Sequence, residues 1–378
     1  MTQIGGMTLE RRISMSGPDI GEREIELTVE VLRSGVLSIG PMVERFEALV
    51  ARRVGARHAV AVSSGTAGLH LALAASGVRA GDEVITSSFS FVASANAIAF
   101  LGARPVFVDI DPETLNLDPS LVERAVTPRT RAILPVHVFG QPADMDPLRA
   151  IADRHRLALI EDSCEAIGAE YRGRQAGTIG DAGVFAFYPN KQITTGEGGI
   201  IVTDRDDLAA MYRSLRNQGR DVFDTWLQHS RLGYNYRLSE LHAAVGVGQM
   251  ERFDVLLDQR ADVAEQYRRL LSGVDGVECP HIASTTTRTS WFVYVVRLDP
   301  GLERDHVIER LQTRGVPSRP YFPPIHLLAH YVDSYGHRAG DLPITEREAR
   351  RMLALPFHGR MPGEDVDYVC QSLDWALR

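Results

Sequence analysis

Cysteine is scarce in this sequence. The 378 residues include three, Cys164, Cys279 and Cys370, which lie far apart and form no CxxC pair. This spacing excludes a disulfide framework and a cysteine zinc site, and we expect no metal site of another kind. Because unpaired thiols are typical of a reducing compartment, we expect a cytoplasmic protein.

Long apolar runs and basic tracts are also missing. No stretch approaches the roughly 18 uninterrupted apolar residues of a membrane span, and the first 12 residues have a charged pair with no apolar segment behind it. Lys and Arg total 41 against 49 Asp and Glu, a net charge of −8, and form no tract that would attract a nucleic acid. We therefore expect no secretion, no membrane insertion and no nucleic-acid partner.

The pattern that is present is an alternation of short apolar runs with helical stretches between about residues 57 and 202. The runs are apolar throughout, which indicates strands buried on both faces. Strand–helix alternation favours a parallel sheet, so we predict a three-layer α/β/α domain with a mostly parallel sheet. The predicted strands are residues 58–62, 83–86, 105–108, 132–136 and 157–160, with helices at 66–76, 91–101 and 147–155.

The second half of the chain has a different pattern. One long helix is predicted over residues 238–271, although Gly246 and Gly248 interrupt its periodicity. A strand at 290–297 and a further helix follow, which indicates a small α+β domain. We therefore divide the chain into an N-terminal tail (1–15), a large domain (16–250) and a small C-terminal domain (251–378).

A turn between a predicted strand and helix is the first candidate site. Residues 62–66 read Val-Ser-Ser-Gly-Thr. Gly65 permits a tight turn, and the free N–H groups of the helix start could bind an anion such as phosphate. A serine or threonine before a helix can equally be only an N-cap.

A strand-end carboxylate and a lysine are the other candidates. Glu161 and Asp162 stand where open α/β sheets bind ligands, although either could instead cap the next turn. Lys191 follows an aromatic run and precedes a glycine-rich segment. A partly desolvated lysine there could attack carbonyl groups, and an exposed loop lysine is the alternative.

Together, an anion cradle, a strand-end carboxylate and a downstream lysine are what a pyridoxal 5′-phosphate (PLP) site requires. Their order and spacing resemble the fold type I aminotransferases, specifically the DegT/DnrJ/EryC1/StrS sugar aminotransferase family, from about residue 17 to the C-terminal region. The segments that carry the resemblance are residues 64–73, 107–112, 135–142, 161–168, 190–191, 195–199 and 233–238.

The resemblance implies a role for each matching residue. Lys191 corresponds to the Schiff-base lysine and Asp162 to the carboxylate on the pyridine nitrogen of PLP or its aminated form, PMP. Asn235 resembles the residue that reaches the phosphate of the neighbouring subunit, which implies a homodimer with two shared sites. The other implied cofactor contacts are Gly65, Thr66 and Ala67 at the phosphate, Phe91 stacked on the ring, and Glu165 near the ring hydroxyl.

One position departs from the family pattern. Five residues before the lysine, where the family commonly has a phosphate-binding serine, this chain has Ala186. The phosphate anchor must then depend more on backbone N–H groups, on Ser63 or Ser64, and on Asn235 of the partner subunit.

The resemblance also suggests the substrates. Residues 165–171 and 190–199 look like those of GDP-perosamine synthases and related 4-amino sugar enzymes, which implies a nucleotide-linked 4-keto-6-deoxy sugar as acceptor and glutamate as donor. His326 and Arg319 lie in the segment expected to contact the sugar and its diphosphate, and a structural loop histidine is the alternative for His326. A PLP lyase, a cyclitol aminotransferase and a non-catalytic sugar-nucleotide-binding regulator remain alternatives.

Overall fold

The computed structural model describes residues 13–221 and 228–378, so most of the predicted N-terminal tail lies outside the described residues. The helices are α1 (Glu22–Ser34), α2 (Pro41–Val54), α3 (Gly65–Ala75), α4 (Ala93–Ala99), α5 (Pro119–Ala125), α6 (Met145–His155), α7 (Asp206–Arg216), α8 (Glu240–Glu251), α9 (Phe253–Leu271), α10 (Arg304–Thr313), α11 (Ala329–Tyr335), α12 (Pro343–Arg351) and α13 (Gly363–Leu377). The strands are β1 (His58–Val62), β2 (Glu83–Ser87), β3 (Arg104–Val108), β4 (Thr130–Leu134), β5 (Ala158–Asp162), β6 (Glu170–Tyr171), β7 (Arg174–Gln175), β8 (Ala182–Ala186), β9 (Gly199–Thr203), β10 (Val277–Glu278), β11 (Thr286–Arg288), β12 (Tyr294–Leu298), β13 (Arg319–Pro320) and β14 (Met352–Leu355).

A seven-stranded sheet forms the centre of the described residues, in the order β1-β9-β8-β5-β4-β2-β3. Strand β9 is antiparallel to both of its neighbours, and every other adjacent pair is parallel. The predicted mostly parallel sheet is therefore confirmed. Such a sheet brings the carboxyl ends of its parallel strands together at one edge, where α/β proteins bind their ligands.

Strand β1 shows how helices cover the sheet. Ala59 and Ala61 belong to a core shared with α1, α2 and α8, whereas Val60 and Val62 belong to a second core shared with α3 and α7. Successive residues of a strand point to opposite faces. Helices therefore pack on both faces, as the predicted three-layer arrangement requires.

The prediction of a single helix over residues 238–271 is wrong, because two helices, α8 and α9, occupy this range. Arg252, which separates α8 from α9, has φ −123° and ψ 24°, outside the helical region. Its guanidinium donates to Glu24 Oε1 at 3.0 Å and to Asp19 Oδ1 at 2.9 Å. These contacts tie the junction to the segment around α1.

The two glycines in this range do not cause the break. Both lie inside α8, where a Cβ at Gly246 would stand 2.7 Å from the Phe46 ring and a Cβ at Gly248 would stand 2.8 Å from Glu24. They allow α8 to pack closely against α1 and α2. The two glycines in the sequence therefore mark a place where helices pack closely, and they do not mark the end of a helix.

The C-terminal part of the chain has its own antiparallel sheet, in the order β10-β12-β14-β13, and packs it against α9, α10 and α13. The predicted boundary at residues 250/251 falls at the end of α8 and stays a prediction. Among the helices of residues 13–221 and 228–378, none has the length and apolar composition that a bilayer span needs.

Candidate active site

A cavity of about 320 Å³ lies at the carboxyl edge of the central sheet. The segments that follow β1, β2, β4, β5 and β8 form most of it, because these strands run in the same direction. The C-terminal part contributes three aromatic rings. The lining residues are Ser64, Gly65, Thr66, Leu69, Ser90, Phe91, Ala93, Ser94, Val136, Asp162, Cys164, Glu165, Ala186, Tyr188, Asn190, Lys191, Glu197, Gly198, Phe292, Tyr321 and Phe322.

Lys191 lies in the irregular loop between β8 and β9, and 13% of its side chain is exposed. Its Nζ is 3.8 Å from Glu165 Oε1 and 3.9 Å from the centre of the Phe292 ring. The amine is therefore inside the cavity, and the exposed loop lysine that the sequence left open is excluded. Lys191 is also the only lysine in the sequence, since the other 40 of the 41 basic residues are arginine.

Asp162 is the last residue of β5, and its carboxylate is buried at the cavity wall. Ser94 Oγ donates to Oδ2 at 2.6 Å, and the Cys164 N–H donates to Oδ1 at 3.2 Å. Ser90 Oγ lies 3.0 Å from Ser94 Oγ and extends the chain of hydroxyl groups. These donors fix the direction of the carboxylate, whose remaining lone pairs can accept from a cationic ring N–H.

The neighbouring carboxylate, Glu161, has a structural role. Its Oε1 accepts from the N–H groups of Ile179 and Gly180, both at 2.6 Å, and its Oε2 accepts from Gly177 N–H at 2.7 Å. The His137 ring nitrogen Nε2 is 2.8 Å from the same Oε2. The two acidic residues therefore differ: Glu161 holds the loop before β8, and Asp162 faces the cavity.

Glu165 faces Lys191 from the segment after β5. Its Oε2 accepts the Phe139 N–H at 3.0 Å. Burial raises the pKa of the Glu165 carboxyl to about 7, although Lys191 and the Phe139 N–H act in the opposite direction and Asp162 adds to the increase. Near neutral pH this site therefore has one carboxyl group that can hold a proton close to the lysine amine.

The raised pKa of Glu165 predicts a pH-dependent stability of the cofactor-free protein. Between the ordinary pKa of 4.5 and about 7, the folded state keeps a proton that the unfolded chain has lost, so stability decreases as pH rises through this window. Glu165→Gln removes this pH dependence. The difference in unfolding free energy between the variant and wild type should therefore shift by about 3 kcal/mol in favour of the variant from pH 4.5 to pH 8. Urea unfolding at both pH values measures it, and an equal difference at the two pH values would contradict it.

Helix α3 begins at the cavity. Ser64 is its N-cap, with Oγ accepting the Ala67 N–H at 3.1 Å, so the N-cap interpretation of this serine is correct. The first-turn N–H groups of a helix have no partner inside the helix. Because Gly65 and Thr66 also line the cavity, the same turn can bind an anion there.

Close packing at this turn depends on glycine. A Cβ at Gly65 would lie 2.7 Å from the Cβ of Ala186, and a Cβ at Gly199 would lie 2.5 Å from the main chain of Ser64. Ala186 lines the cavity next to Gly65 and presents only a methyl group. A donor hydroxyl is therefore missing at this position, as the departure from the family pattern indicated.

The lining residues fit PLP. Lys191 would provide an amine for the aldehyde, Asp162 an oriented carboxylate for the ring nitrogen, and the start of α3 an anion site for the phosphate. Phe91, at the cavity wall, is 61% exposed, so a large flat ring is free to stack on the pyridine. Each of the four groups that the cofactor requires is present around one cavity.

Four predicted residues do not line this cavity within one chain: Ala67, Asn235, Arg319 and His326. The Ala67 N–H is already bonded to Ser64 Oγ. Asn235 is exposed on the segment before α8, where it forms an isolated bridge with Asn217. Arg319 is exposed in β13, and its Nη1 donates to the carbonyl of Ser318 at 2.9 Å. The contacts expected of Asn235 and Arg319 stay predictions.

The predicted sugar contact of His326 does not agree with the structure. The residue is 0% exposed, with Nδ1 2.7 Å from Ser88 Oγ and Nε2 3.1 Å from Glu346 Oε1. Both ring nitrogens are therefore occupied inside the protein. His326 joins the segment after β2 to α12, which is the structural alternative that the sequence left open.

Several lining residues were missed by the sequence analysis. The contact of Ser94 with Asp162 could have been predicted, because Ser94 lies three residues after Phe91, which was itself predicted to line the site. Phe292, Tyr321 and Phe322 come from the C-terminal part of the chain, and local patterns give no signal that distant aromatic residues meet Lys191. Residues 317–324 include four prolines, which by themselves indicate only an irregular segment.

Comparison with known proteins places these observations in a family. Residues 18–374 match the sequence profile of the DegT/DnrJ/EryC1/StrS aminotransferase family. The GDP-perosamine synthase of Caulobacter vibrioides is 43% identical over 371 residues, which cover 97% of this chain and 98% of that protein.

Solved structures agree with this match. DesV of S. venezuelae, in complex with a ketimine intermediate, has a TM-score of 0.89 and 38% identity, covering 94% of this chain and 95% of its own. Spr1654 of Streptococcus pneumoniae in its PLP form has a TM-score of 0.92 and 28% identity, covering 97% and 98%. The cavity and the relatives therefore indicate the same cofactor.

Proposed function

Because the chain belongs to the DegT/DnrJ/EryC1/StrS aminotransferase family, whose members use PLP to aminate sugars, we propose that it transfers the amino group of L-glutamate to a nucleotide-linked 4-keto-6-deoxy hexose. The observation that carries the proposal is the 43% identity with a GDP-perosamine synthase over nearly the whole of both chains. The convergence of Lys191 and Asp162 on one cavity adds the chemical groups that an aminotransferase needs.

Four groups of the cavity would hold the cofactor. Lys191 would bind its aldehyde, Asp162 its ring nitrogen, the start of α3 its phosphate and Phe91 one face of its ring. When bound, PLP supplies an electron sink that stabilises negative charge at the carbon next to the transferred nitrogen. Because Asp162 is held by Ser94 and Cys164, it can keep the ring nitrogen protonated without turning away.

Lys191 also moves protons. Its Nζ takes the proton from the α-carbon of glutamate and later returns a proton to the sugar carbon that receives the amine. The Glu165 carboxyl lies 3.8 Å from Nζ, and its raised pKa allows it to hold a proton near neutral pH. Phe292 and Phe322, both buried, exclude water from this part of the cavity.

Arg319 supports a diphosphate-containing acceptor. It lies two residues before Tyr321, which lines the cavity, and its guanidinium is exposed. Arginine matches phosphate groups through its fork of N–H donors. We assign Arg319 to the diphosphate of the acceptor.

The three cysteines are all free thiols, which supports a reaction in the cytoplasm.

A homodimer with shared sites accounts for the position of Asn235. Leu37 and Ile39 are both exposed. They lie beside the segment that carries Asn235, since Ser38 between them forms a bridge with Ser239. Exposed apolar side chains of this kind are typical of protein interfaces. A partner that covers them would also receive Asn235.

Mixed dimers test the shared site. We expect Lys191→Ala and Asn235→Ala each to be strongly impaired alone, since each removes a different part of the same site. After subunit exchange in an equal mixture, about one site in four combines intact Lys191 with intact Asn235 and activity should return to that fraction. If both residues served the site of their own chain, the mixture would stay inactive.

A substrate panel tests the proposed function. The protein is incubated with glutamate, PLP and the dTDP-, UDP- or GDP-linked 4-keto-6-deoxy sugar, and amine formation is followed by mass spectrometry. We expect one nucleotide class to be aminated, with one 2-oxoglutarate released per amine. Amination of a free keto cyclitol alone would indicate a cyclitol enzyme, and binding without turnover would indicate a regulator.

A further inference from the structure

A buried arginine lies behind the loop that carries Lys191. Arg260, on α9, is 3% exposed, and burial lowers its pKa to about 10, so it remains charged at neutral pH. In the part of the chain that the structure describes, no carboxylate is within ion-pair distance of it, and burial is the sole cause of its pKa shift. A buried cation without a counter-ion is strongly destabilising unless its donors are well satisfied.

The donors of Arg260 are satisfied by main-chain carbonyl groups of two loops. Its Nη2 donates to the carbonyls of Lys191 at 2.8 Å and Asn190 at 3.4 Å. Its Nη1 donates to the carbonyls of Trp291 at 3.1 Å and Phe292 at 3.3 Å. One planar guanidinium therefore joins the loop that carries Lys191 to the loop that carries Phe292.

Neither loop has regular secondary structure at these residues, so no ladder of backbone hydrogen bonds fixes them. Their relative position matters, because the Phe292 ring lies 3.9 Å from Lys191 Nζ. Gln192 adds a second connection: its Nε2 donates to Ser290 Oγ at 2.8 Å and to the Glu165 carbonyl at 2.6 Å. The lysine, the ring beneath it and Glu165 are thus joined by two buried side chains.

We propose that Arg260, assisted by Gln192, is a positioning residue that fixes the Lys191 main chain against the Phe292 ring, so that the amine keeps one direction in the cavity. The inference depends on the role proposed for Lys191. Arg260 itself lines a different face of the loop and does not line the cavity.

The test compares Arg260→Gln with Arg351→Gln as a matched control. Arg351 also donates to a main-chain carbonyl, that of Leu298 at 2.7 Å, but it additionally pairs with Glu278 and Glu348, lies at the end of α12 and does not line the cavity. Glutamine is chosen because a lysine at either position would add a second ε-amine to a chain that has one. The readouts are kcat, KM for glutamate, the melting temperature, and the visible circular dichroism of the PLP-loaded protein.

For Arg260→Gln we expect kcat to fall roughly 100-fold with a much smaller change in KM, because misplacement of a reacting group by about 1 Å has an effect of this size. The visible absorbance should remain while its circular dichroism weakens, since the lysine still binds PLP but in several orientations. Arg351→Gln should change only the melting temperature. Gln192→Met, which keeps the side-chain volume, should weaken the dichroism in the same direction and provides the test if Arg260→Gln does not fold.

Normal kcat and normal circular dichroism in the variants that fold would overturn the proposal and leave Arg260 with a role in stability alone. That outcome is distinct from failure of the proposed function. If the function is wrong, wild-type protein aminates no sugar and Lys191→Ala behaves as wild type. If only this inference is wrong, Lys191→Ala is inactive while Arg260→Gln is not.

Discussion

Lys191→Ala is expected to lose turnover by at least about 10⁴-fold, since proton transfer alone contributes about 10²–10⁴-fold and covalent attachment of the cofactor is lost as well. The visible absorbance of the lysine-bound cofactor should disappear with it. Folding should be retained, because the contacts of the amine within residues 13–221 and 228–378 are one ion pair with Glu165 and one cation–π contact with the Phe292 ring. Steady-state assays with the accepted nucleotide sugar, together with absorption spectra, measure both effects.

The composition of the chain makes this test unusually direct. Lys191 is the only lysine, so borohydride reduction of the PLP-loaded protein should attach one phosphopyridoxyl group to the peptide that contains it. A peptide map separates Lys191 from any reaction at an N-terminal α-amine. Lys191→Arg, which keeps the charge, should also be inactive. Turnover near the wild-type rate in either variant would contradict the assignment.

The sequence could predict much of the site because parallel strands bring their carboxyl ends together. Asp162 and the turn at Gly65 are almost a hundred residues apart, yet Asp162 ends one buried strand and the turn follows another, so a parallel sheet places both at one edge. Lys191 follows β8 by the same rule. The chemistry of the cofactor then selects these three from other polar residues at strand ends.

What the sequence could not predict depends on contacts between distant segments. His326 was expected at the substrate because its segment resembles the one that contacts the sugar in the family, but Ser88 and Glu346 occupy its two ring nitrogens. Arg260 looks like one polar residue of an amphipathic helix, and only the fold shows that it contacts the Lys191 carbonyl. Periodicity gives the buried face of a helix, and it does not give the partner of that face.

Asp162→Asn should lower kcat by about 1000-fold while the visible absorbance remains. An ion pair at about 4 Å is worth about 4 kcal/mol at an effective dielectric constant of about 20, and this energy corresponds to about three powers of ten in rate. The amide has nearly the same shape and can still bond Ser94, so the fold should be unaffected. Because Lys191 is intact, PLP still binds covalently but its ring nitrogen is no longer held protonated. Rate and spectrum are measured on the same sample.

A matched control comes from another strand of the same sheet. Asp109 directly follows β3, is buried, and accepts from Thr345 N–H at 2.7 Å and Ile344 N–H at 2.9 Å, but it does not line the cavity. Asp109→Asn should therefore lower the melting temperature and leave the rate per folded, PLP-loaded site unchanged. The two variants should show opposite patterns, because one carboxylate stabilises the ring and the other stabilises α12. A rate for Asp162→Asn within tenfold of wild type would mean that this carboxylate does not hold the ring nitrogen.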